Sequence, residues 1–143
     1  MAGHRQFAAL VAAWVVVCAG LFAAQAPEFS PQALRSTPRM ALEEFRRLHA
    51  NGNLLVIDVR DALSFKSGHI PGAMNVPLDQ IVGRAREIEK RAKGKRIVTY
   101  CACSNEHASA EAGLRLITNG VVNVSALVGG LRAWIAAGGR IQS

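Results

Sequence analysis

Cysteine is scarce in this sequence, which has three cysteines among 143 residues. Three thiols are too few for a disulfide-rich scaffold and for a zinc site with four cysteine ligands, although histidine can complete a mixed site. Charged residues make up only 19% of the chain, whereas 50% of it is hydrophobic. This composition excludes a wholly disordered chain, and the length suits one globular domain.

Acidic residues are also in the minority, with 10 Asp and Glu against 17 Lys and Arg and a formal net charge of +7. The sequence has no motif of a nucleic-acid-binding domain, so the positive charge alone predicts no nucleic-acid partner. Several basic side chains lie between residues 84 and 96. Such a run is typical of a solvated helix face, and the alternative is that it steers anionic donors or contacts anionic lipid.

Charge is absent altogether from residues 7–24, which follow His4 and Arg5. A basic start before an apolar stretch of about 18 residues is typical of a signal peptide, and such a stretch is also just long enough to span a bilayer. The alternative is a buried core helix, but the segment is apolar on all sides. We therefore expect residues 1–26 to be a signal peptide or a membrane anchor, with membrane contact through residues 7–24.

The residues after the apolar stretch indicate where the folded domain begins. Ala24 and Ala26 form a small-x-small pattern for cleavage, although Pro27 directly after it is unfavourable. Residues 27–36 are rich in proline and polar side chains and are predicted to be a linker. The protein is thus expected to be exported, with a domain over residues 37–143 in the periplasm or another extracytoplasmic space, either free or anchored to the membrane.

From residue 37 onward, short apolar runs alternate with segments that have helical spacing. Thr37 and Pro38 are typical of the start of a helix. Strands are predicted at 54–57, 73–76, 96–100 and within 121–128. Helices are predicted at 38–50, 62–67, 80–92, 108–119 and 131–137. Strands that alternate with helices indicate an α/β fold with a parallel sheet.

Chemistry is expected where these strands end, because parallel α/β folds bind ligands beyond the carboxyl ends of their strands. Three strand ends carry candidates, at residues 58–60, 101–107 and 129–130. Cys101 is the most informative, since it follows an apolar strand and precedes a tight loop and a helix. A helix N-terminus favours anions and makes a nearby thiol more acidic, so a nucleophilic thiolate is predicted. The alternative is a buried structural cysteine.

Three motifs, found in the expected order, resemble the signatures of rhodanese domains. They are Asp58-Val59-Arg60 followed by residues 67–77, then Tyr100-Cys101, then residues 128–134 followed by Gly138. The resemblance covers roughly residues 37–140 and implies a rhodanese-like three-layer α/β fold, in which helices flank a five-stranded parallel sheet. Four strands are evident from the sequence, so the fifth is expected to be a short strand near residues 35–36.

The resemblance implies sulfurtransferase chemistry. In this family a cysteine thiolate attacks the outer sulfur of thiosulfate or another donor, sulfite leaves, and the persulfide passes its sulfur to cyanide or a thiol. Cys101 is accordingly the predicted catalytic residue of a rhodanese-type thiosulfate sulfurtransferase. The predicted substrate-binding residues are Ala102, Cys103, Ser104, Asn105, Glu106 and His107. No metal or cofactor is expected, and the expected partners are a small anionic sulfur donor, a thiol acceptor and a protein sulfur acceptor.

The predicted loop differs from the usual pattern of the family. Common rhodaneses have six loop residues, often with Gly inside and Arg last, whereas this loop has neither Gly nor Arg. Counted from Cys101, His107 is the seventh residue, and the related cell-cycle phosphatases and arsenate reductases have seven residues ending in Arg. Histidine lacks the bidentate fork with which Arg binds phosphate, so phosphatase activity is not favoured. Counted from Cys103, Ala108 is the sixth residue, but the strand register favours Cys101.

Three polar residues are predicted to support the site rather than to react. Asp58 and Arg60 are expected to brace the loop through an ion pair and hydrogen bonds, with direct contact to substrate as the alternative. His69 is expected to fix a turn. Trp134 is predicted to anchor the last helix in the core, and His49 is predicted to be a solvated side chain on a helix.

Two other functions stay open at this point. A loop without Gly and Arg also suits a non-catalytic rhodanese-like module that binds a protein partner. Cys101 and Cys103 also suit a thiol redox protein, because a Cys-x-Cys pair can form a reducible disulfide, above all in an oxidising compartment. Thiol titration and cyanolysis after thiosulfate treatment separate the three, giving a persulfide, no reactive thiol, or reversible loss of two thiols.

Overall fold

The structure of the protein is a computed structural model, which describes residues 28–143. Its strands are β1 (Arg39–Met40), β2 (Leu54–Asp58), β3 (Met74–Asn75), β4 (Arg96–Tyr100) and β5 (Val124–Leu127). Its α-helices are α1 (Pro31–Arg35), α2 (Leu42–Ala50), α3 (Ala62–Ser67), α4 (Ala85–Ala92), α5 (His107–Thr118) and α6 (Gly130–Ala136). A short 3-10 helix covers Leu78–Gln80.

All five strands run parallel in one sheet, in the order β1-β5-β4-β2-β3. β4 is the central strand, with β5 on one side and β2 on the other. Parallel strands that are buried on both faces need continuous apolar runs, and the sequences of β2 and β4 supply them. The predicted α/β fold, a five-stranded parallel sheet flanked by helices, is confirmed.

Each face of the sheet is covered by its own apolar layer. One layer contains residues of α4 and α5 together with Ile97 and Cys101. The other layer contains residues of α2 and α6 together with Val98 and Tyr100. Successive side chains of a strand point to opposite faces of a sheet. Tyr100 therefore faces the layer of α2 and α6, and Cys101, the next residue, faces the layer of α4 and α5.

The fifth strand lies at Arg39–Met40 and not near residues 35–36, and the helix predicted to follow it begins only at Leu42. Met40 is fully buried, and both residues of β1 pair with β5. The hydroxyl of Thr37 does not cap α2, because it donates a hydrogen bond to a carbonyl of α5 that is 3.0 Å away. Pairing with β5 thus overrides the local signal for a helix start.

Two further segments differ from the sequence-based expectation. The helix predicted over 80–92 is α-helical only from Ala85. Gly83, which disfavours a helix, lies between that point and the short 3-10 helix. Part of the predicted linker forms α1, which contacts α5 and buries Leu34, so this part of the chain is folded.

His49 is not solvated as predicted. Its Nε2 atom lies 2.8 Å from the carbonyl oxygen of Pro71, and its ring stacks on Phe45 and meets Trp134 edge-on. Trp134 is buried, and its indole N–H donates a hydrogen bond to the carbonyl of Arg140 at 2.7 Å. The prediction that Trp134 anchors the last helix in the core is confirmed.

The predicted signal peptide or membrane anchor at residues 1–26 lies outside the described residues and stays a prediction. Within residues 28–143, no helix combines the length and the apolar character that crossing a membrane requires. Cys18 also lies in the segment that is not described, so the structure contains two of the three cysteines, Cys101 and Cys103.

Candidate active site

Cys101 follows directly on the central strand β4. Its side chain is 2% exposed and belongs to the apolar layer of α4 and α5. The Sγ atom lies 3.7 Å from the hydroxyl oxygen of Ser109, in the first turn of α5. The carbonyl of Cys101 accepts a hydrogen bond from the N–H of Leu131, 2.9 Å away at the start of α6. Cys101 is therefore held between the N-terminal ends of two helices.

The loop of residues 101–107 carries the chain from β4 into α5. Its internal hydrogen bonds run from the N–H of Glu106 to the carbonyl of Cys103, at 3.4 Å, and from the N–H of His107 to Oδ1 of Asn105, at 3.3 Å. The N–H groups of residues 103–105 donate to no atom of residues 28–143. These groups are free to donate to an anion at the loop, as the predicted anion site requires.

A disulfide bond joins Cys101 and Cys103 across Ala102, and their Cα atoms are 5.7 Å apart. Cys101 is buried whereas Cys103 is half-buried, and both belong to the layer of α4 and α5. Ala102 is also half-buried but packs on the opposite layer. The structure thus shows the oxidised form of the pair, and the loop brings the two sulfur atoms into bonding contact.

Glu106 holds the loop in place through its side chain. Its carboxylate accepts a hydrogen bond from the N–H of Gly129 at 2.6 Å and pairs with the guanidinium of Arg39 at 3.2 Å. Its backbone has a φ of 56°, in the left-handed region that residues other than glycine rarely adopt. Glu106 was predicted to bind substrate, but in the structure its carboxylate ties the loop to β1 and to the turn before α6. These contacts offset the cost of its backbone conformation.

The other loop residues point outward. Ser104 and Asn105 are exposed. His107 is the first residue of α5, with 58% of its side chain exposed and its Nδ1 atom 3.9 Å from the carboxylate of Glu111. The same carboxylate pairs with Arg115 at 2.6 Å. His107 thus lies beside the ion pair of Glu111 and Arg115.

Asp58 and Arg60 form a brace at the end of β2. Asp58 is fully buried, and its carboxylate meets the guanidinium of Arg60 at 2.6 Å and 3.0 Å. Burial acts to lower the pKa of Arg60, but the hydrogen bond and the charge of Asp58 outweigh it and raise that pKa. Arg60 also donates to the carbonyl of Gly68, and the amide of Asn75 donates to the carbonyls of Asp58 and Arg60. The polar groups of both residues are therefore used within the fold.

Tyr100 and His69 lie beside this brace. The hydroxyl oxygen of Tyr100 accepts a hydrogen bond from the N–H of Ile70 at 3.0 Å. Burial, assisted by the hydrogen bond and charge of Asp58, raises the pKa of Tyr100 above its usual value of 10.0. The ring of His69 stacks on Phe65 at 3.7 Å, and its Nδ1 lies 3.0 Å from the Phe65 carbonyl. This environment suits the turn-fixing role that was predicted for His69.

A family model for the rhodanese-like domain matches residues 41–137 of the chain. The chain belongs to the rhodanese-like domain family. The uncharacterised protein YqhL of Bacillus subtilis is 37% identical over 101 residues, which make up 71% of this chain and 72% of that protein. The thiosulfate sulfurtransferase GlpE of Pseudomonas savastanoi pv. phaseolicola is 35% identical over 98 residues, which make up 68% of this chain and 87% of that protein.

The fold agrees with solved rhodanese-like structures. The solution structure of the rhodanese-like domain of an Anabaena protein has a TM-score of 0.64 and 31% identity, and the match covers 74% of this chain and 79% of that one. The family resemblance inferred from the three motifs is thus confirmed. Family membership supports sulfur transfer as the class of activity.

Ser109 and Thr99 belong to the rhodanese-like site although no motif in the sequence marks them. Ser109 is fully buried, and its hydroxyl donates to the carbonyl of Glu106 at 3.0 Å while contacting Cys101. The hydroxyl of Thr99 in turn donates to the carbonyl of Ser109 at 2.8 Å. Ser109 could have been found from the sequence, because it carries a hydroxyl in the first turn of the predicted helix. From that position a side chain can point back at the end of the strand.

The glycine pair at the start of α6 closes the rhodanese-like site from the other side. Gly129 and Gly130 both have positive φ, at 70° and 52°. A Cβ atom on Gly130 would overlap the carbonyl oxygen of Cys101. The absence of a side chain at this position therefore lets the start of α6 donate its hydrogen bond to Cys101.

A groove of about 520 Å³ opens between the ends of β2 and β3 and helix α5. Its lining consists of Val59, Asp61, Pro77, Leu78, Asp79, Glu111 and Arg115, so neither cysteine lines it. Among residues 28–143, no three side chains of His, Cys, Asp or Glu cluster in a way that could hold a metal ion.

Proposed function

We propose that this rhodanese-like protein moves sulfane sulfur from thiosulfate, or a similar small anionic donor, to a thiol or cyanide acceptor through a persulfide on Cys101. The observation that carries the proposal is the position of Cys101, which directly follows the central strand. Its sulfur lies 3.7 Å from the hydroxyl of Ser109, in the first turn of the 12-residue helix α5. Family membership and the activity in the name of the relative GlpE support the same reaction. A protein thiol is a further acceptor of the same chemical class.

The first half-reaction requires the reduced form of the cysteine pair. The Cys101 thiolate attacks the outer sulfur of thiosulfate, the sulfur–sulfur bond of thiosulfate breaks, and sulfite leaves with the bonding electrons. The N-terminus of α5 and the hydroxyl of Ser109 stabilise the negative charge on sulfur. The free N–H groups of residues 103–105 are available for the oxygen atoms of the donor.

The second half-reaction returns the enzyme to its starting state. A thiolate or cyanide attacks the outer sulfur of the persulfide, and the electrons of the broken bond return to Cys101 as a thiolate. Asp58 and Arg60 act in neither step, because their polar groups are engaged with each other and with neighbouring backbone groups. We assign them to holding the end of β2 beside Tyr100, whose carbonyl accepts the N–H of Val59.

A second candidate function is that of a dithiol–disulfide redox protein, which the Cys101–Cys103 disulfide favours. Such a protein exchanges electrons through the pair and carries no extra sulfur atom. Phosphate transfer is not supported, because the loop contains no arginine and the carboxylate of Glu106 lies within it. The fate of the donor's sulfur therefore distinguishes the two remaining candidates.

The test is a thiocyanate assay with reduced protein, thiosulfate and cyanide. We expect the wild-type protein to form thiocyanate and Cys101→Ser to form none above background, because the chemical step needs this thiolate. Cys18→Ser is the matched control, since it makes the same exchange outside the loop and should leave the rate unchanged. Full activity of Cys101→Ser would refute the role of Cys101, and no activity in the wild type would favour the redox or binding alternatives.

We also propose that residues 1–26 direct the protein out of the cytoplasm. The support is the uncharged run at residues 7–24 behind Arg5, a pattern that is typical of export signals and anchors. The rhodanese-like domain would then meet its sulfur donor outside the cytoplasm, in a compartment where disulfides persist.

A further inference from the structure

We infer that Cys103 is a resolving cysteine, which attacks the Cys101 persulfide, expels the outer sulfur as hydrogen sulfide and forms the Cys101–Cys103 disulfide. The inference rests on the proposed function, because it starts from the persulfide of Cys101. It gives the persulfide a second reaction besides transfer of its sulfur to an acceptor. In this reaction the donor's sulfur is reduced to sulfide while the two cysteine thiols are oxidised to a disulfide. The oxidised loop in the structure corresponds to the product of this step.

The first support is the reach of Cys103. The disulfide closes across one intervening residue with the sheet and α5 in place, and the Cα separation of 5.7 Å lies within the range that disulfides span. Both side chains belong to the same apolar layer. A persulfide on Cys101 therefore has a second thiol within intramolecular reach, where it acts at a far higher effective concentration than a thiol in solution.

The second support is the balance of the reaction. The Cys103 thiolate attacks Sγ of Cys101, the bond between Sγ and the outer sulfur breaks, and the outer sulfur leaves with both electrons. The proton that Cys103 gave up ends on the leaving sulfur, which departs as HS⁻. Two cysteine thiols are oxidised to one disulfide while the sulfane sulfur is reduced to sulfide, so the step needs no outside oxidant.

The third support is the difference in exposure between the two cysteines. Cys101 is 2% exposed, whereas Cys103 is half-buried and precedes the exposed residues Ser104 and Asn105. An external thiol must pass the loop to reach a sulfur on Cys101, while Cys103 is already beside it. Release of sulfide is therefore expected to compete well with transfer to a bulky acceptor.

The same difference in exposure determines how an external dithiol reduces the disulfide. An external dithiol meets the sulfur of Cys103 first, and attack there expels Cys101 as the leaving thiolate. A thiolate leaves more easily where its charge is stabilised, and Cys101 lies at the N-terminus of α5 beside Ser109. The second thiol of the dithiol then displaces Cys103, so two electrons from one dithiol restore both cysteines.

The test is a single-turnover reaction of the full-length protein. The protein is reduced, freed of reductant and mixed with thiosulfate alone, while inert gas carries off sulfide for trapping and sulfite is measured in the solution. The tryptic peptide of residues 97–115 contains Cys101 and Cys103 without Cys18, and mass spectrometry reports its thiols and any added sulfur. We expect equal amounts of sulfite and sulfide, and a disulfide in this peptide.

Two variants separate the inference from the proposed function. Cys103→Ser keeps the backbone N–H of residue 103 but removes the thiol, so for each sulfite that it releases it should release no sulfide and retain one added sulfur on Cys101. Cys18→Ser makes the same exchange elsewhere and should match the wild type in both yields.

Three outcomes would overturn the inference. Sulfite without sulfide from the wild type, with a stable persulfide on Cys101, refutes the resolving role and leaves the proposed function standing. Sulfide from Cys103→Ser at the wild-type yield also refutes that role alone. No sulfite from the wild type refutes the proposed function, and the resolving role falls with it.

Discussion

At the scale of single residues, the hydroxyl of Ser109 is the polar group of α5 that contacts the sulfur of Cys101. Its hydroxyl is fully buried, donates to the carbonyl of Glu106 and lies 3.7 Å from Sγ of Cys101. When Cys101 is a thiolate, the same hydroxyl can turn and donate to sulfur. A hydrogen bond to a charged group is worth more than one between neutral groups, so Ser109 matters most in the reactive state.

Ser109→Ala should make Cys101 less reactive at neutral pH. Loss of one charge-assisted hydrogen bond, worth about 1.5 kcal/mol, corresponds to about tenfold slower alkylation. The measurement is the rate of reaction with iodoacetamide against pH, with Cys18 and Cys103 replaced by serine. Ser104→Ala, on the exposed part of the loop, is the control, and identical profiles for both variants would contradict the assigned role.

Tyr100 offers a test of the buried brace because it is the only tyrosine in the chain. Burial and Asp58 raise its pKa above 10.0, so the folded protein should show no tyrosinate absorbance near that pH. The unfolded chain loses the phenol proton near pH 10.0 and the folded chain keeps it, so stability should fall as pH rises above that value.

The measurement for Tyr100 is an ultraviolet titration followed in parallel by circular dichroism. The same titration in concentrated urea serves as the control and should show ionisation near pH 10.0. Tyrosinate absorbance at that pH in a protein with unchanged circular dichroism would show that the phenol is not buried as described.

At the scale of elements, the turn between β5 and α6 tests how closely the backbone packs on Cys101. Gly130 and Gly138 both have positive φ, but only at Gly130 would an added Cβ overlap the Cys101 carbonyl. Gly138→Ala should therefore cost about 1 kcal/mol, the usual strain of a left-handed residue. Gly130→Ala should cost about 3 kcal/mol, because β4 or α6 must also move.

Urea unfolding of the two glycine variants measures this difference directly. Among residues 28–143, no atom other than those of its own chain neighbours would lie within 4 Å of a Cβ atom on Gly138, so this variant isolates the effect of backbone conformation. Equal losses of stability in the two variants would mean that the close approach of α6 to Cys101 does not affect the free energy of unfolding.

The elements that were predictable from sequence are those with a strong local pattern. The apolar runs of β2 and β4 and the helical spacing of α5 are local features, and the structure has these elements within one residue of the predicted bounds. β1 has two residues and takes its conformation from pairing with β5. No local pattern marks such a strand, and the proline before it favours the helix that was predicted instead.

In the loop of the candidate site, too, the local features could be predicted from the sequence and the long-range contacts could not. Cys101 could be located because it follows an apolar strand, and its neighbours could be named because they fill the space before α5. The role of Glu106 could not be predicted, because it depends on Arg39 and Gly129, which lie 67 and 23 residues away in sequence. Contacts of this kind become visible only when the strands are in register.

At the scale of the whole molecule, the prediction concerns where the protein resides. The mature domain should be found outside the cytoplasm or on the outer side of the membrane, because residues 7–24 carry no charge. Leu10→Arg should retain it in the cytoplasm, since a charge within an apolar span costs about 3 kcal/mol. Fractionation and protease protection of intact cells are the measurements.

Gln32→Arg is the control for export, because it adds the same charge on the exposed side of α1 and outside the apolar run. It should be exported like the wild type. Wild-type protein that stays soluble in the cytoplasm would contradict the export signal and leave the chemistry of the cysteine pair unaffected.

The separation of the sheet into two layers has an optical consequence. Trp134 belongs to the layer of α2 and α6, while the cysteine pair lies on the opposite face of the sheet. Once Trp14 is replaced by phenylalanine, the fluorescence of the chain comes from one indole that is shielded from the sulfur atoms by β4. The emission of this indole should therefore report unfolding equally well in oxidised and reduced samples. The difference between their melting curves then measures the contribution of the loop disulfide to stability.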